Sequence, residues 1–330
     1  MTFVSIIIPC YNEERTIYGL LEAIYRQTYP RSLMEVVLAD GMSEDRTRDV
    51  VKKFIQEHPD LSVKLVDNPR RIIPSGLNRA IEASGGEVLV RLDAHSAPSP
   101  EYVARCVAAL REGRGENVGG VWEIHPGGSG WIARSIAVAA SHPLGVGDAA
   151  YRYTNRSAYV DTVPFGAFRR ETLERIGWFD ETLLTNEDYE LNARLRQNGG
   201  KIWLDPAIRS VYLARPSLRA LAAQYWRYGF WKWRMLQRYP GTLRWRQALP
   251  PLFVAGIIGL GIGALWWEWA RWMLLLMVGL YFLALVLASL PQAWKKKDPL
   301  LVIGVPLAIA TMHITWGSGL LFSMLKGMKQ

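Results

Sequence analysis

Gly85-Gly86-Glu87-Val88-Leu89-Val90-Arg91-Leu92-Asp93-Ala94-His95-Ser96 (GGEVLVRLDAHS) is the stretch on which the fold turns. Val88–Leu92 is a short apolar run behind a Gly-Gly break, which predicts a buried strand. It ends on Asp93-Ala94-His95, two candidate metal or phosphate ligands two residues apart. Successive strand residues point to opposite faces, so Asp93 and His95 would aim the same way. Their target would be the crevice at the carboxyl ends of the strands, where open α/β sheets hold ligands. A polar strand end with a solvated acid is the plain alternative, and the rest of the chain has to decide.

Upstream, Phe3–Ile8 is an apolar, β-branched run closed by Pro9, a second buried strand. Asn12-Glu13-Glu14 then offers an N-cap and first-turn acids for a helix to about Gln27. Glu35–Ala39 predicts a strand ending on Asp40-Gly41, with Ser43 or Asp45 capping a helix to about His58. Leu61–Asp67 predicts another strand, and Ile73–Ala83 a helix behind Pro74. Four rounds of strand and helix predict an α/β domain, a parallel sheet with helices on both faces. Downstream come a helix over Tyr102–Glu112 and a strand over Asn117–Ile124. A Gly-rich insertion to Val160 holds one apolar helix near Ile132–Ser141. Phe165–Arg169 predicts a strand, Glu171–Ile176 and Glu187–Asn198 helices, and Lys201–Leu204 and Ser210–Leu213 two closing strands.

The formal charge of +9 is not evenly spread. Residues 1–200 carry 23 Lys/Arg against 27 Asp/Glu, residues 201–248 carry 10 against 1, and residues 249–330 carry 6 against 2. The basic patch adjoins hydrophobic segments, so anionic lipid suits it better than nucleic acid, for which no motif is visible. Cys10 and Cys106 give neither a disulfide framework nor a zinc spacing. MTFVSIIIPCYNEE has no basic leader, so no signal peptide is expected.

Residues 217–239 mix five Arg/Lys with seven Trp, Tyr or Phe, the chemistry of a membrane interface. Leu249–Trp267 and Trp272–Leu290 are uncharged over 19 residues each, about 28 Å as helix and enough to cross a bilayer core. Arg244, Arg246 and Lys295–Lys297 flank them on one side, which predicts a cytoplasmic soluble domain. Leu300–Leu325 is a third uncharged stretch. It reads either as a simple span, leaving Lys326 and Lys329 outside, or as a re-entrant hairpin broken at Pro306 and Trp316-Gly317-Ser318-Gly319. The expected division is 1–215 soluble α/β, 216–248 interfacial and 249–330 membrane-embedded.

Four separated motifs then agree in order. They are the opening strand with Pro9-Cys10-Tyr11-Asn12-Glu13-Glu14, Asp40-Gly41, Gly76-Leu77-Asn78 with Gly85-Gly86 leading to Asp93-Ala94-His95, and Gly177-Trp178-Phe179-Asp180-Glu181 running into Asn186-Glu187-Asp188. Together they resemble the inverting family 2 glycosyltransferases of GT-A fold over residues 3–235. Within that family they resemble the succinoglycan-biosynthesis glucosyltransferase group, which shares the Asp-Ala-His variant and a C-terminal membrane region. The resemblance implies a Rossmann-like nucleotide-diphospho-sugar transferase domain, followed by helices in a bacterial inner membrane with the catalytic domain cytoplasmic. It assigns the base and ribose to Pro9, Tyr11, Glu13, Asp40 and Arg71. Asp93 and His95 would hold Mn²⁺ or Mg²⁺ and the diphosphate, with imidazole in place of the usual second acid favouring Mn²⁺. Asp188, beside Glu187, matches the catalytic base; a helix N-terminal acid held by the dipole is its structural alternative.

Gln224-Tyr225-Trp226-Arg227-Tyr228 partly matches the Gln-x-x-Arg-Trp motif of membrane polysaccharide synthases, in which Arg227 would contact the donor diphosphate. The expected reaction moves a hexose from a nucleotide sugar, UDP-glucose foremost, to a polyprenyl-diphosphate saccharide. A processive synthase, a polyprenyl-phosphate sugar synthase and an inactive membrane scaffold are the alternatives. A dinucleotide-binding oxidoreductase is excluded, since Pro-Cys-Tyr-Asn stands where its glycine loop belongs, and Gly259/Gly261/Gly263 reads as helix packing. His125, His142 and His313 have no partner spacing and read as structural, with acceptor contact the alternative for His125 and His142.

Overall fold

A computed structural model describes residues 1–242 and 244–327, so Lys329 lies outside the described residues. The chain divides into two compact units. The first comprises Met1–Glu123 and Tyr153–Tyr212; the second comprises Ile124–Arg152 and the chain from Leu213 on.

The first unit opens as the apolar runs dictate. Strands β1 (Val4–Cys10), β2 (Met34–Asp40), β3 (Ser62–Asp67) and β4 (Val88–Arg91) alternate with helices α1 (Ile17–Tyr25), α2 (Thr47–Glu57) and α3 (Ile73–Glu82). β1 is buried almost throughout, as a strand covered on both faces must be. In α1, Ile17, Leu20, Leu21 and Ile24 recur at helical spacing and join the core. Pro74 sits in the first turn of α3, where its missing N–H is harmless. Beyond β4 follow β5 (Ala97–Pro98), α4 (Tyr102–Arg111) and β6 (Asn117–His125). Then come α5 (Trp131–Ala140) and α6 (Pro143–Val146), then β7 (Ala158–Tyr159), β8 (Ala167–Arg169), α7 (Arg170–Ile176), α8 (Glu187–Gln197) and β9 (Ile202–Leu213).

The sheet runs β3-β2-β1-β4-β8-β6-β9-β5, with β7 also on β9. β1 pairs parallel with β2 and β4, and β2 with β3. β8, however, runs antiparallel between β4 and β6. The sheet is therefore mixed, not the purely parallel one expected. Strand order reverses at β1, which has β2 on one side and β4 on the other, so the crevice lies at their carboxyl ends.

Other local expectations are corrected. Asn12 is not an N-cap: at φ 55° it turns the chain left-handed, and α1 starts only at Ile17. α2 starts at Thr47, whose N–H donates to Asp45 Oδ1 at 2.9 Å, so of the two expected caps Asp45 is the one that holds the helix start. The two closing strands are one strand, β9, running past Pro206.

The second unit contains α5 and α6 with α9 (Leu218–Arg238), α10 (Trp245–Gly263), α11 (Glu268–Lys296) and α12 (Leu301–Gly327). α10, α11 and α12 are each long and apolar enough to cross a membrane. α12 is one continuous helix, which removes the re-entrant hairpin. The glycines taken for a break are contact points instead. A Cβ on Gly319 would lie 2.4 Å from the Trp226 carbonyl of α9, and one on Gly317 2.7 Å from the Pro250 carbonyl of α10. Small residues let backbones approach in this way. Gly259 and Gly261 of α10 face open space, against the expectation of packing there.

Candidate functional site

The N-terminal motif residues gather at the strand-order reversal. Pro9 sits opposite Ala39 in the β1–β2 register, and α3 closes over it because Gly76 has no side chain; a Cβ there would lie 3.1 Å from that of Pro9. Tyr11 follows β1 with 41% of its surface exposed. The Arg71 guanidinium lies 5.7 Å from its ring centroid and pairs with Glu44 at 3.0 Å. A solvent-facing ring beside a cation suits a flat heteroaromatic ligand.

Asp40 behaves differently. It is fully buried at the end of β2, with both oxygens engaged. Oδ1 accepts from the Ser43 hydroxyl at 2.5 Å, and Oδ2 from the Ser43 N–H at 3.0 Å and Arg48 Nε at 2.5 Å. Arg48 also pairs with Asp67 at the end of β3. This carboxylate ties the β2 loop, including left-handed Met42, to α2. The neighbouring Cys10 thiol is buried and beside Asp40, which pushes its pKa up and keeps it inert.

Glu13 joins two strand ends. Its Oε2 accepts from the Thr16 hydroxyl at 2.5 Å, and its Oε1 lies 3.2 Å from His95 Nδ1. A carboxylate on Nδ1 favours the tautomer protonated there, leaving Nε2 as the lone-pair nitrogen. That is the arrangement in which a histidine serves as a metal ligand.

Asp93 and His95 stand just beyond the carboxyl end of β4, but not by strand alternation. β4 stops at Arg91, and Asp93–Ser96 is a turn closed by the Ser96 N–H to the Asp93 carbonyl at 2.9 Å. His95 is thus turned towards Glu13, and Asp93 towards Arg91.

Arg91 is the residue that sequence reasoning passed over. Its side chain is 3% exposed and meets three carboxylates. Nη2 lies 3.0 Å from Asp93 Oδ1 and 3.0 Å from Glu187 Oε1, and Nη1 pairs with Asp188. Desolvation works against its charge, but Asp93 and Glu187 outweigh it and raise the pKa. The signal was present: an arginine inside an apolar strand run must find anions.

Glu187 and Asp188 open α8 behind Asn186, left-handed at φ 70°. First-turn acids and the last-turn Arg194 and Arg196 both complement the helix dipole. Burial separates the pair, since the Glu187 side chain is 9% exposed and that of Asp188 31%. Two further residues hold the loop before α8. Asn78 of α3 donates to the Phe179 carbonyl and Glu181 Oε1, both at 2.9 Å, and accepts from the Phe179 N–H at 3.0 Å. Arg194 pairs with Glu190 and donates to the carbonyls of Ile176, Gly177 and Trp178.

Gln224 and Arg227 belong to the second unit, on α9. Gln224 is buried and donates to the Tyr228 hydroxyl at 2.9 Å, so the motif's departure at Tyr228 supplies its partner. Arg227 is exposed.

Among the described residues no three His, Cys, Asp or Glu side chains form a cation cage. Asp93 and His95 each carry a possible metal donor atom, but Asp93 Oδ1 faces Arg91 and His95 Nδ1 faces Glu13.

The family model for glycosyl transferase family 2 matches residues 5–177. The chain is 31% identical to the succinoglycan biosynthesis protein ExoA of Rhizobium meliloti (strain 1021), over 95% of this chain and 92% of that one. It is 26% identical to the dolichyl N-acetyl-alpha-D-glucosaminyl phosphate 3-beta-D-2,3-diacetamido-2,3-dideoxy-beta-D-glucuronosyltransferase of Methanococcus voltae, over 99% and 98%. Its fold is similar to that of the mannosyltransferase PcManGT from Pyrobaculum calidifontis in complex with GDP-Man and Mn²⁺. There the TM-score is 0.65 at 23% identity, covering 98% of this chain and 88% of that one. Family model, relatives and a sheet that reverses beside its motif residues agree: the chain belongs to glycosyl transferase family 2 and is a glycosyltransferase of GT-A fold.

Proposed function

We propose that this enzyme is a membrane-anchored, inverting hexosyltransferase. It moves a sugar, glucose from UDP-glucose in the first instance, to a polyprenyl-diphosphate-linked saccharide in exopolysaccharide assembly. The observation that carries the reading is Arg91, which ties the Asp93 turn and the Glu187-Asp188 helix start into one cluster. A donor-side carboxylate and an acceptor-side carboxylate share one buried cation, so the spacing between the two halves of the reaction is preset.

Tyr11 and Arg71 take the base, with Pro9 beneath; Asp40 and Glu13 act through the loops they hold. Mn²⁺ or Mg²⁺, bound by Asp93 and His95, would neutralise charge on the departing diphosphate. Asp188, the exposed acid of its pair, takes the proton from the acceptor hydroxyl as that oxygen attacks the anomeric carbon and the bond to the diphosphate breaks. Glu187 stays against Arg91 and aims its neighbour. A single displacement inverts the anomeric centre.

The acceptor reading is supported by the three long apolar helices and by a relative whose name specifies a dolichyl-linked substrate. The Lys295–Lys297 run at the end of α11 favours a cytoplasmic catalytic unit on the bacterial inner membrane.

The test is donor turnover by the full chain in detergent, with UDP-glucose and Mn²⁺, Mg²⁺ or EDTA, beside Asp188→Asn. Metal-dependent UDP release, reduced about 100-fold or more in the variant, is the expected result. Undiminished turnover in Asp188→Asn would overturn the base assignment. Failure to bind any common nucleotide sugar would overturn the donor reading in favour of an inactive scaffold.

A further inference from the structure

Within the second unit a cavity of about 400 Å³ opens between α5 and the α11–α12 junction. Its floor is apolar, formed by Ala137 and Val138 of α5 and Leu301 of α12, and its polar wall carries Arg134, Lys296 and Asp298. Asp298 already has partners: Oδ2 pairs with Arg134 Nε at 2.9 Å, and Oδ1 accepts from the Leu300 N–H at 3.2 Å at the start of α12. Its charge is therefore answered, and Arg134 is held at the cavity by Asp298 and by the Ser129 carbonyl. Nη2 of Arg134 makes no hydrogen bond among the described residues. Lys296 is exposed and makes no ion pair among the described residues, and Lys295 and Lys297 stand on either side.

The position of the cavity narrows the ligand. It lies at the end of α11, a helix of 29 residues long and apolar enough to span a bilayer, next to Trp294, which is 89% exposed. Tryptophan beside a lysine run is the composition of a membrane–water interface. A cavity there with two cations on its wall and an aliphatic floor matches an anionic headgroup followed by its first methylenes. A soluble anion would use the wall and leave the floor unexplained.

We infer that this cavity binds the phosphate of a membrane lipid, with Arg134 and Lys296 on the phosphate oxygens and the Ala137/Val138/Leu301 floor under the start of the chain. The inference rests on the membrane reading above and adds a lipid-phosphate site distinct from the donor cluster around Arg91. It gives the second unit a chemical role besides anchoring.

The full chain in detergent is titrated with undecaprenyl phosphate, dioleoyl phosphatidic acid, dioleoyl phosphatidylcholine and inorganic phosphate, and bound lipid is counted by native mass spectrometry. The first two should bind, and neither phosphatidylcholine nor inorganic phosphate at equal concentration should displace them. Lys296→Gln should weaken binding about fivefold, and Arg134→Gln/Lys296→Gln about 25-fold, at about a fivefold loss per charge removed. Because Arg134 also pairs with Asp298, the exposed Lys296→Gln keeps the test valid should the double variant fold poorly. Unchanged lipid affinity in Lys296→Gln, displacement by inorganic phosphate, or equal binding of phosphatidylcholine would each overturn the site. UDP-glucose binding is measured separately by calorimetry, so failure of the donor reading is told apart from failure of this one.

Discussion

Arg91→Met removes the buried cation and keeps roughly the volume, so its effect isolates the charge. Three carboxylates are left behind, but they do not contribute equally. Asp93 and Asp188 are about 30% exposed and can take water once Arg91 is gone, so each adds only about 0–1 kcal/mol after solvent screening. Glu187, with a side chain 9% exposed, cannot hydrate, and stranding a buried charge costs about 3–5 kcal/mol. In a unit of this size each kcal/mol moves the unfolding midpoint by about 2–4 °C, which predicts a fall of about 6–20 °C. The decisive arm is Arg91→Met/Glu187→Gln. Neutralising the stranded acid should recover at least half of that fall, although it removes one more native charge. Near-ultraviolet circular dichroism in detergent follows the midpoint, and hydrogen exchange at β4 and α8 localises it. Arg91→Lys should keep most of the stability, since a charge remains. It should still lose about 100-fold in donor turnover, because one ammonium cannot hold both strand turn and helix start in register. A midpoint for Arg91→Met within error of the parent, or a double variant no more stable than the single, would refute the reasoning.

Asn78→Ala should free the 177–181 loop by removing three hydrogen bonds, at a cost of about 1–3 kcal/mol for the groups left without partners; limited proteolysis between Trp178 and Glu187 is the readout. Glu35 supplies a pH test. Burial would raise its pKa, but Lys64, the Ser5 hydroxyl and the Gly85 N–H lower it further than burial raises it. A depressed folded pKa contributes stability above the unfolded value of about 4.3 and loses it as pH falls through the folded value. Glu35→Gln should therefore be the less stable protein at pH 7, with the gap closing below about pH 4 in thermal melts. Gly319→Val forces a side chain into the space held by the Trp226 carbonyl, so the second unit should unfold earlier, by about 1–3 kcal/mol or more, while nucleotide binding by the first unit persists.

The first half of the fold was legible because each buried strand announces itself twice, by an apolar run and by the Gly, Pro or Asp that ends it. What local pattern cannot report is the partner. β8 reads as Ala-Phe-Arg, a short strand that could join any sheet, and only tertiary contact puts it antiparallel beside β4. Where two strands are expected, over Lys201–Leu204 and Ser210–Leu213, β9 runs through Pro206 although proline lacks a ladder donor. Here Asp205 Oδ1 accepts from the Ala207 N–H at 2.9 Å, a local bond beside the missing proline donor. The glycines of α12 misled in the opposite direction. Glycine weakens a helix in water, yet among packed apolar helices it is where another backbone comes closest, as Gly317 and Gly319 do.

The candidate site divides along a line that sequence cannot draw. The motif acids all stand at strand or helix ends, so spacing alone gives them equal weight, and burial then sorts them. Asp40 and Glu187 are spent on their own surroundings, the one on Ser43 and Arg48, the other on Arg91. Asp93 and Asp188 keep about a third of their surface open. Even the opening Gly-Gly pair belongs to the first group. A Cβ on Gly86 would lie 2.5 Å from the Ser5 nitrogen, and the Gly85 N–H donates to Glu35 at the base of the sheet, far along β4 from Asp93. A reaction that must bring two substrates together needs both kinds of residue. Under the proposed mechanism the open carboxylates do the chemistry, and the closed ones hold the loops that carry them. Arg91 is where the two kinds meet, since one guanidinium touches the spent Glu187 and both open acids. Its identity as arginine follows from geometry rather than charge: only a planar fork reaches three carboxylates from one buried position.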